Sequence, residues 1–140
     1  MTLRAIPLLV MDGNAKEAIQ FYEKVLDAKV ISIQTYREIP EFPGMTFPEK
    51  IMDLVTHARL QVGETDLILY DSPGFPLHKG NQVSIFLTTN EVEETQRIYE
   101  ALQHGGWVNG SLEETSFTPA QANVTDKFGV TFTIVTDPHF

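Results

Sequence analysis

The sequence has no cysteine, a single tryptophan in 140 residues and no long hydrophobic run. Without cysteine, disulfides, thiolate metal ligands and cysteine nucleophiles are all excluded. The apolar stretch from Ala5 to Met11 is broken by Pro7 and ends at Asp12, so it is too short for the hydrophobic region of a signal peptide. A membrane helix needs about 20 apolar residues. We therefore expect a cytoplasmic protein with no membrane partner.

Basic residues are also scarce. Ten Lys and Arg stand against 19 Asp and Glu, which leaves a formal net charge of -9. Nucleic acid and anionic lipid would be repelled by this charge, and no run of Lys or Arg offers a local basic patch. The phosphate-loop, dinucleotide-binding, zinc-protease and nucleophile-elbow motifs are all missing from the sequence. We expect no nucleic-acid partner and no cofactor.

The sequence contains a weak internal repeat, whose two copies are offset by about 77 residues. Leu8–Val10 corresponds to Ile85–Leu87, and Phe21–Glu23 corresponds to Ile98–Glu100. Each copy starts with a short apolar strand and continues into an amphipathic helix. The helices are predicted to start at two capping residues, each with a Glu three positions later: Asn14 with Glu17, and Asn90 with Glu93.

After each helix the apolar residues alternate with polar ones, which predicts three strands per copy. The predicted strands cover residues 29–39, 54–62 and 66–71 in the first copy and 107–117, 121–125 and 130–135 in the second. The domain would consist of a first βαβββ module (1–71), a connector (72–81) and a second βαβββ module (82–140). Residues 39–50 are predicted to form a long loop inserted in the first module alone. One helix cannot cover both faces of a sheet, so two halves or two chains should share a curved sheet.

Four segments resemble the PhnB-like family, often labelled as a 3-demethylubiquinone methyltransferase-like domain, of the vicinal-oxygen-chelate superfamily. They are residues 14–22, His57-Ala58, residues 63–71 and residues 124–130. The resemblance implies an α+β fold in which paired βαβββ modules form a cupped mixed sheet around a cleft, as in glyoxalases, bleomycin-resistance proteins and dioxygenases. It also implies a homodimer.

Metal-dependent members of that superfamily carry His and Glu ligands on the first and last strands of each module. The resemblance places Pro7 or Leu8, Leu67 or Leu69, Ser84 or Ile85, and Thr133 at those positions. None of these is a good ligand for a divalent metal. We therefore predict that no metal is bound. A glycine-rich turn between strand and helix, which a nucleotide-like methyl donor would need, is also missing.

His57 is the sharpest candidate for chemistry. Alternation places it on the same strand face as Arg59 and Gln61, whereas Ala58 and Leu60 face the helix. An imidazole titrates near neutral pH and could act as a general base or bind an oxyanion. The competing interpretation is a histidine bonded within the structure or lying in a dimer interface.

The predicted ligand-binding residues are Tyr36, Glu38, His57, Arg59, Tyr70 and Phe117. Tyr36 and Glu38 would lie on the polar face of the second strand, and Tyr70 with Asp71 would lie near the rim. Aromatic and apolar residues would form a wall or lid over the ligand, or else belong to the core or a subunit interface: Phe42, Met45, Phe47, Phe75, Trp107 and Phe117.

Two functions stay open at this point. The first is a metal-independent protein that binds a small-molecule ligand without chemistry. The second is a metal-independent enzyme of isomerase, lyase or transferase type that uses His57 as acid or base in the cleft. The sequence favours binding, because it offers one group for proton transfer and no nucleophile. A purely structural or regulatory dimer is a third possibility.

Overall fold

The computed structural model describes residues 2–39, 46–72, 74 and 76–137. The chain divides into two compact units, Met1–Leu77 and His78–Phe140. The elements of the first unit are β1 (Leu8–Met11), α1 (Ala15–Val25), β2 (Lys29–Thr35), β3 (Val55–Val62) and β4 (Thr65–Asp71). Those of the second unit are β5 (Ile85–Thr89), α2 (Val92–Leu102), β6 (Trp107–Glu113), β7 (Gln121–Thr125) and β8 (Thr131–Thr136).

In its described residues each unit contains one α-helix and one four-stranded mixed sheet, and both sheets have the same topology. The strand orders are β1-β4-β3-β2 and β5-β8-β7-β6. The first strand of each unit runs parallel to the last, and the other neighbours are antiparallel. The predicted α+β fold with paired βαβββ modules is confirmed.

The strand pairing is the same in both units and includes the same irregularity, in β2 of the first unit and β6 of the second. In each unit two regular pairs are followed by a bulge after the second: Lys29 with Gln61 and Val30 with Leu60 in the first, Trp107 with Thr125 and Val108 with Val124 in the second. The bulged residue is Ile31 in β2 and Asn109 in β6. A bulge redirects a side chain, so this shared irregularity gives each copy one re-aimed residue.

The core of each unit lies between its helix and its sheet. The apolar stripe of α1 includes Ala18, Ile19 and Tyr22, which are buried, as are Leu60 and Leu69 on the sheet beneath. In the second unit Ile98 and Leu102 of α2 are buried together with sheet residues such as Val124, Phe132 and Ile134. Burying one such side chain stabilises the folded state by about 1.5–3 kcal/mol.

The helix starts differ from the prediction. Asn14 does occupy the position before α1, but its side chain makes no capping hydrogen bond. The Asp71 carboxylate replaces it: Oδ1 accepts from the Ala15 N–H at 2.9 Å and Oδ2 accepts from the Val55 N–H at 2.9 Å. Asp71 therefore links the ends of β4, α1 and β3.

The predicted cap at Asn90 is wrong, because α2 begins one residue later and Glu91 precedes it. A cluster of hydroxyls lies at this place instead. Thr95 Oγ1 is 2.7 Å from Thr89 Oγ1 and 2.5 Å from Thr136 Oγ1. Thr136 pairs with Thr89 as Asp71 pairs with Met11, so the second unit uses a threonine where the first uses a carboxylate.

Two strands end earlier than predicted, because side chains bond to the backbone. β2 stops at Thr35, where Glu38 Oε1 accepts from both the Thr35 N–H at 3.2 Å and the Thr35 hydroxyl at 2.9 Å. β6 stops at Glu113, and the Thr115 hydroxyl then accepts from the Phe117 and Thr118 N–H groups at 3.1 and 3.2 Å. Such local bonds compete with the sheet ladder. In the described part of the chain no helix is long and apolar enough to cross a membrane.

Candidate functional site

Each sheet has one side turned away from its helix, which we call the open face. Because paired residues share a side, the register assigns the residues of each open face. That of the first sheet includes Leu8, Val10, Ser32, Gln34, His57, Arg59, Gln61, Asp66, Ile68 and Tyr70. That of the second sheet includes Phe86, Trp107, Asn109, Gln121, Asn123, Thr125, Thr131, Thr133 and Val135, with Ser84 just before β5.

Three of the six predicted site residues meet on the first open face: His57, Arg59 and Tyr70. The Arg59 guanidinium is committed to Asp66, whose Oδ2 accepts from Nε at 2.9 Å and from Nη2 at 2.5 Å. Arg4 approaches the same oxygen at 3.5 Å. The carboxylate neutralises the charge that Arg59 would otherwise offer to a ligand.

His57 is exposed on this face, opposite Gln34 of β2. Within the described residues no group forms a hydrogen bond with its imidazole. The Gln34 carboxamide oxygen accepts from the Thr56 hydroxyl at 3.2 Å instead. A general base is normally held in place by a third group, and the described residues offer none for His57.

The predicted placement of Tyr36 and Glu38 on the second strand is wrong. Both lie in a 3-10 turn, Tyr36–Glu38, where Glu38 is occupied by Thr35. The Tyr36 ring packs edge-on against Phe47, with ring centroids 4.9 Å apart. Arg37, the middle residue of the turn, donates hydrogen bonds to Glu49 at 3.0 Å and to Asp53 at 3.1 Å. The hydrogen bond from Arg37 lowers the pKa of Asp53.

The remaining predicted residues are scattered. Asp71 is buried at 1% exposure and serves the helix start, so it does not lie at a rim. Phe117 belongs to the second unit, in the loop after β6, and is 94% exposed. Phe42, Met45 and Phe75 lie outside the described residues.

The positions proposed for metal ligands need correction. Leu67 and Leu69 are buried on the helix side of the first sheet, so Asp66, Ile68 and Tyr70 are the β4 residues on the open face. Ile85 likewise lies on the helix side. Ser84 and Thr133 do share the second open face, with their hydroxyls 2.9 Å apart.

Ile68, Ser84 and Thr133 offer only alkyl groups and neutral hydroxyls, which do not fit the divalent metal of the metal-dependent superfamily members. The Asp66 carboxylate is hydrogen-bonded to Arg59. Across the described residues no group of three His, Asp or Glu side chains could hold a metal ion.

The second open face carries a connected array of neutral polar side chains, which we call the amide–hydroxyl array: Ser84, Asn109, Asn123, Thr125, Thr131 and Thr133. Asn109 Nδ2 donates to Asn123 Oδ1 at 2.8 Å and to Thr125 Oγ1 at 2.9 Å. Asn123 Nδ2 donates to Thr133 Oγ1 at 2.9 Å. Thr125 and Thr131 are hydrogen-bonded at 2.9 Å. The bonds fix the orientation of both amides.

A cleft of about 110 Å³ opens at one end of this array. Its lining consists of Lys79, Gly80, Asn81, Trp107, Asn109, Thr125, Gly129 and Thr131. Trp107 is 55% exposed and pairs with Thr125. The preceding residue, Gly106, lies so close to the backbone of Thr125 and Asp126 that any side chain there would clash, which holds the start of β6 against the end of β7.

The cleft was not predicted from the sequence. The alternating Gln121, Asn123, Thr125 and the pair Thr131, Thr133 did signal a polar strand face. The bulge that turns Asn109 onto it has no comparable signal, because it depends on pairing between β6 and β7.

Comparison with known proteins gives relatives over nearly the whole chain. Protein YjdN of Escherichia coli strain K12 is 26% identical over 137 residues, covering 91% of each chain. The crystal structure of PA1353 from Pseudomonas aeruginosa is 28% identical, covers 97% of this chain and 98% of its own, and superposes with a TM-score of 0.84.

The fold extends to a more distant neighbour. The fosfomycin resistance protein FosX from Mesorhizobium loti is 11% identical, with 98% of this chain and 93% of that chain covered and a TM-score of 0.65. This likeness shows the shared vicinal-oxygen-chelate fold. The family model described as 3-demethylubiquinone-9 3-methyltransferase matches residues 4–135. The chain therefore belongs to this PhnB-like family.

Proposed function

We propose that the protein binds a small molecule on the open face of its second sheet, and that it does so without a metal ion. The observation that carries this proposal is the amide–hydroxyl array beside the cleft. Ligand sites usually combine an apolar wall with a few fixed polar groups. Here Trp107 supplies the wall and the array supplies the polar groups.

The array contains hydroxyl hydrogens that its own hydrogen bonds do not use. Each threonine or serine hydroxyl has one hydrogen. Thr125 accepts from Asn109 and shares one bond with Thr131, so one hydrogen of that pair is not used within the array. Thr133 and Ser84 repeat the arrangement, with Asn123 as the donor. Two O–H groups are thus left for a ligand.

Metal independence is supported by the donor chemistry. The array contains no imidazole and no carboxylate, and divalent metals in proteins prefer those groups. FosX is named for resistance to fosfomycin, a small molecule, which supports a ligand of similar size here. The family name suggests methyl transfer, but the strand-to-helix turns lack the glycine-rich loop that a nucleotide-like methyl donor needs.

The alternative is a metal-independent enzyme with His57 as acid or base. Its support is that the imidazole is exposed on the first open face, beside Arg59 and Tyr70. Against it, the Arg59 charge is used by Asp66, and no described group orients the imidazole. Binding without turnover is the function that this geometry favours.

A thermal-shift panel on protein treated with EDTA tests the proposal. The panel contains benzoate, benzamide, phenol, cyclohexanol and methylphosphonate, and mass spectrometry follows each compound. A compound present at about 100 times its Kd should stabilise the protein by about 2.7 kcal/mol, which raises Tm by several degrees. We expect at least one such compound, recovered unchanged.

Two variants give the panel its controls. Asn123→Leu should abolish the shift, whereas His57→Ala should retain it. Three results would overturn the proposal: no stabilisation by any compound, stabilisation only after Ni, Zn or Mn is added, or a compound converted by the wild type and not by His57→Ala. The last result would establish the enzyme instead.

We also propose that the protein is a homodimer. β2 is an edge strand of the first sheet, and Val30, Ile31 and Ile33 on it are 38%, 56% and 42% exposed. An exposed apolar edge favours association with another chain. The cytoplasmic location expected from the sequence stays a prediction.

A further inference from the structure

Building on the proposed function, we propose that the cleft beside Trp107 takes a flat organic acid, and specifically an aromatic carboxylate. The ring would stack on the indole of Trp107. The carboxylate would accept hydrogen bonds from Lys79 and from the free hydroxyl of the Thr125–Thr131 pair.

Lys79 is the charged residue of the cleft lining. Its alkyl stem lies over Gly129, where an added Cβ would be 2.7 Å from Lys79 Cδ and 3.1 Å from Cε. Gly129 also has a φ of +90°, a conformation that favours glycine. Because Gly129 has no side chain, the alkyl stem of Lys79 can pack against it, which places the lysine at the cleft. In the described part of the chain no carboxylate forms an ion pair with Lys79.

Several N–H and O–H groups at the cleft have no acceptor among the described residues. Both Nδ2 hydrogens of Asn109 are used, one by Asn123 and one by Thr125. The described cleft lining retains as donors the ammonium group of Lys79, one hydroxyl hydrogen of the Thr125–Thr131 pair, and the N–H groups of the Asn81 amide and the Trp107 indole. The amide oxygens of Asn81 and Asn109 are acceptors there. A carboxylate is a group that only accepts, and its bonds to charged donors are about twice as strong as neutral ones. The positive charge of Lys79 and the excess of donors over acceptors therefore favour an acid.

Trp107 selects for a flat ligand. Trp107 lines the cleft and is 55% exposed. Aromatic rings stack offset on one another and gain stability beyond the area they bury. An aromatic carboxylate is the simplest molecule that uses the ring, the ammonium group and the hydroxyl together.

The matching corner of the first unit is an internal comparison. There a cleft of about 170 Å³ is lined by Asp27, Lys29, Gln61 and Gly63. Lys29 pairs with Gln61 in the register position that Trp107 and Thr125 occupy in the second unit. This corner has no aromatic residue, and its Asp27 would repel an anion. The copies have thus diverged at one place in the repeat.

The net charge of -9 does not prevent this binding. At physiological ionic strength charges further away than about 8 Å are largely screened. The local charge of Lys79 therefore decides which ligand enters the cleft.

Trp107 is the single tryptophan of the chain, so its fluorescence reports directly on the cleft. The test titrates the protein with benzoate and with benzamide, which have nearly the same shape and differ in charge. We expect benzoate to change the Trp107 emission and to bind about tenfold more tightly than benzamide, which corresponds to about 1.4 kcal/mol.

Three variants locate the effect. Lys79→Met should remove the preference for benzoate, and Thr131→Val should weaken benzoate binding about fivefold. Lys24→Met changes the net charge equally, but Lys24 is exposed on α1 of the first unit, so the preference should remain.

The outcomes separate this inference from the proposed function. Equal affinity for benzamide and benzoate overturns the acid preference and leaves small-molecule binding intact. Benzoate binding that is insensitive to Lys79→Met overturns the assigned site. If neither compound changes the emission, the inference fails, while the metal-free thermal-shift panel still decides the proposed function on its other compounds.

Discussion

Two backbone N–H groups from different elements depend on the carboxylate of Asp71. One belongs to Ala15 at the start of α1, and the other to Val55 at the start of β3. A negative charge is favoured at a helix N-terminus, because the helix dipole is positive there. Hydrogen bonds to a charged acceptor contribute about 1.5–3 kcal/mol each. Asp71 is therefore a structural residue of the first unit.

Asp71→Asn tests this role. The amide keeps one acceptor oxygen but turns an NH₂ group toward the second N–H, which leaves a buried donor unsatisfied. We expect the free energy of unfolding to fall by about 2–4 kcal/mol, measured from urea midpoints at constant m. Asp12→Asn, at an exposed position after β1, is the matched control and should have almost no effect. Equal midpoints for both variants would contradict the assignment.

At the scale of the elements, the order of helices and strands could be predicted because each has a clear period. Ala18, Ile19 and Tyr22 mark the buried stripe of α1, and Ala58 and Leu60 alternate with Arg59 along β3. The ends of β2 and β6 could not be predicted in this way. They depend on the Glu38 carboxylate and the Thr115 hydroxyl, which bond to the local backbone and leave no periodic signal.

An ion pair on α2 gives the helix a pH-dependent contribution. Arg97 donates to Glu94 at 2.6 and 3.1 Å, and these hydrogen bonds lower the pKa of Glu94 below its usual 4.5. A carboxyl whose pKa is lowered by folding stabilises the protein above its unfolded pKa. This stabilisation is lost as the pH falls through the folded pKa.

Glu94→Gln should therefore reduce the stability at neutral pH by about 0.5 kcal/mol, a small value because both side chains are nearly half exposed. Urea unfolding at several pH values should show the variant and the wild type converging as the pH falls through the lowered pKa of Glu94. Glu93→Gln removes a charge from the same helical turn without an ion pair in the described structure, and it separates the dipole effect from the pair. A difference that is constant with pH would contradict the account.

At the scale of the whole molecule, one duplicated plan carries two different faces. Equivalent positions of the two units show the divergence. Arg59 and Asp66 form an ion pair on the first open face, whereas the equivalent residues of the second unit, Asn123 and Thr131, belong to the neutral array. The sequence predicted the first face, because alternation in β3 is local. It did not predict the second site, because Lys79, Trp107 and Thr131 come together only through the folding of that unit.

The proposed homodimer gives a prediction at the same scale. Sedimentation equilibrium should give twice the 15.8 kDa mass of the chain. Ile31→Lys places a charge on the exposed apolar edge of β2 and should shift the protein toward the monomer. Lys24→Met, on α1, should leave the measured mass at that of the dimer. A wild-type mass equal to a single chain would contradict the proposal.

The most direct test of the account is to map binding by amide NMR on metal-free protein titrated with benzoate. We expect shifts confined to the second unit: the indole N–H of Trp107, the side-chain amides of Asn109 and Asn123, and the backbone of Thr125 and Thr131. Shifts centred on His57 and Arg59 instead, or none until a divalent metal is added, would contradict it.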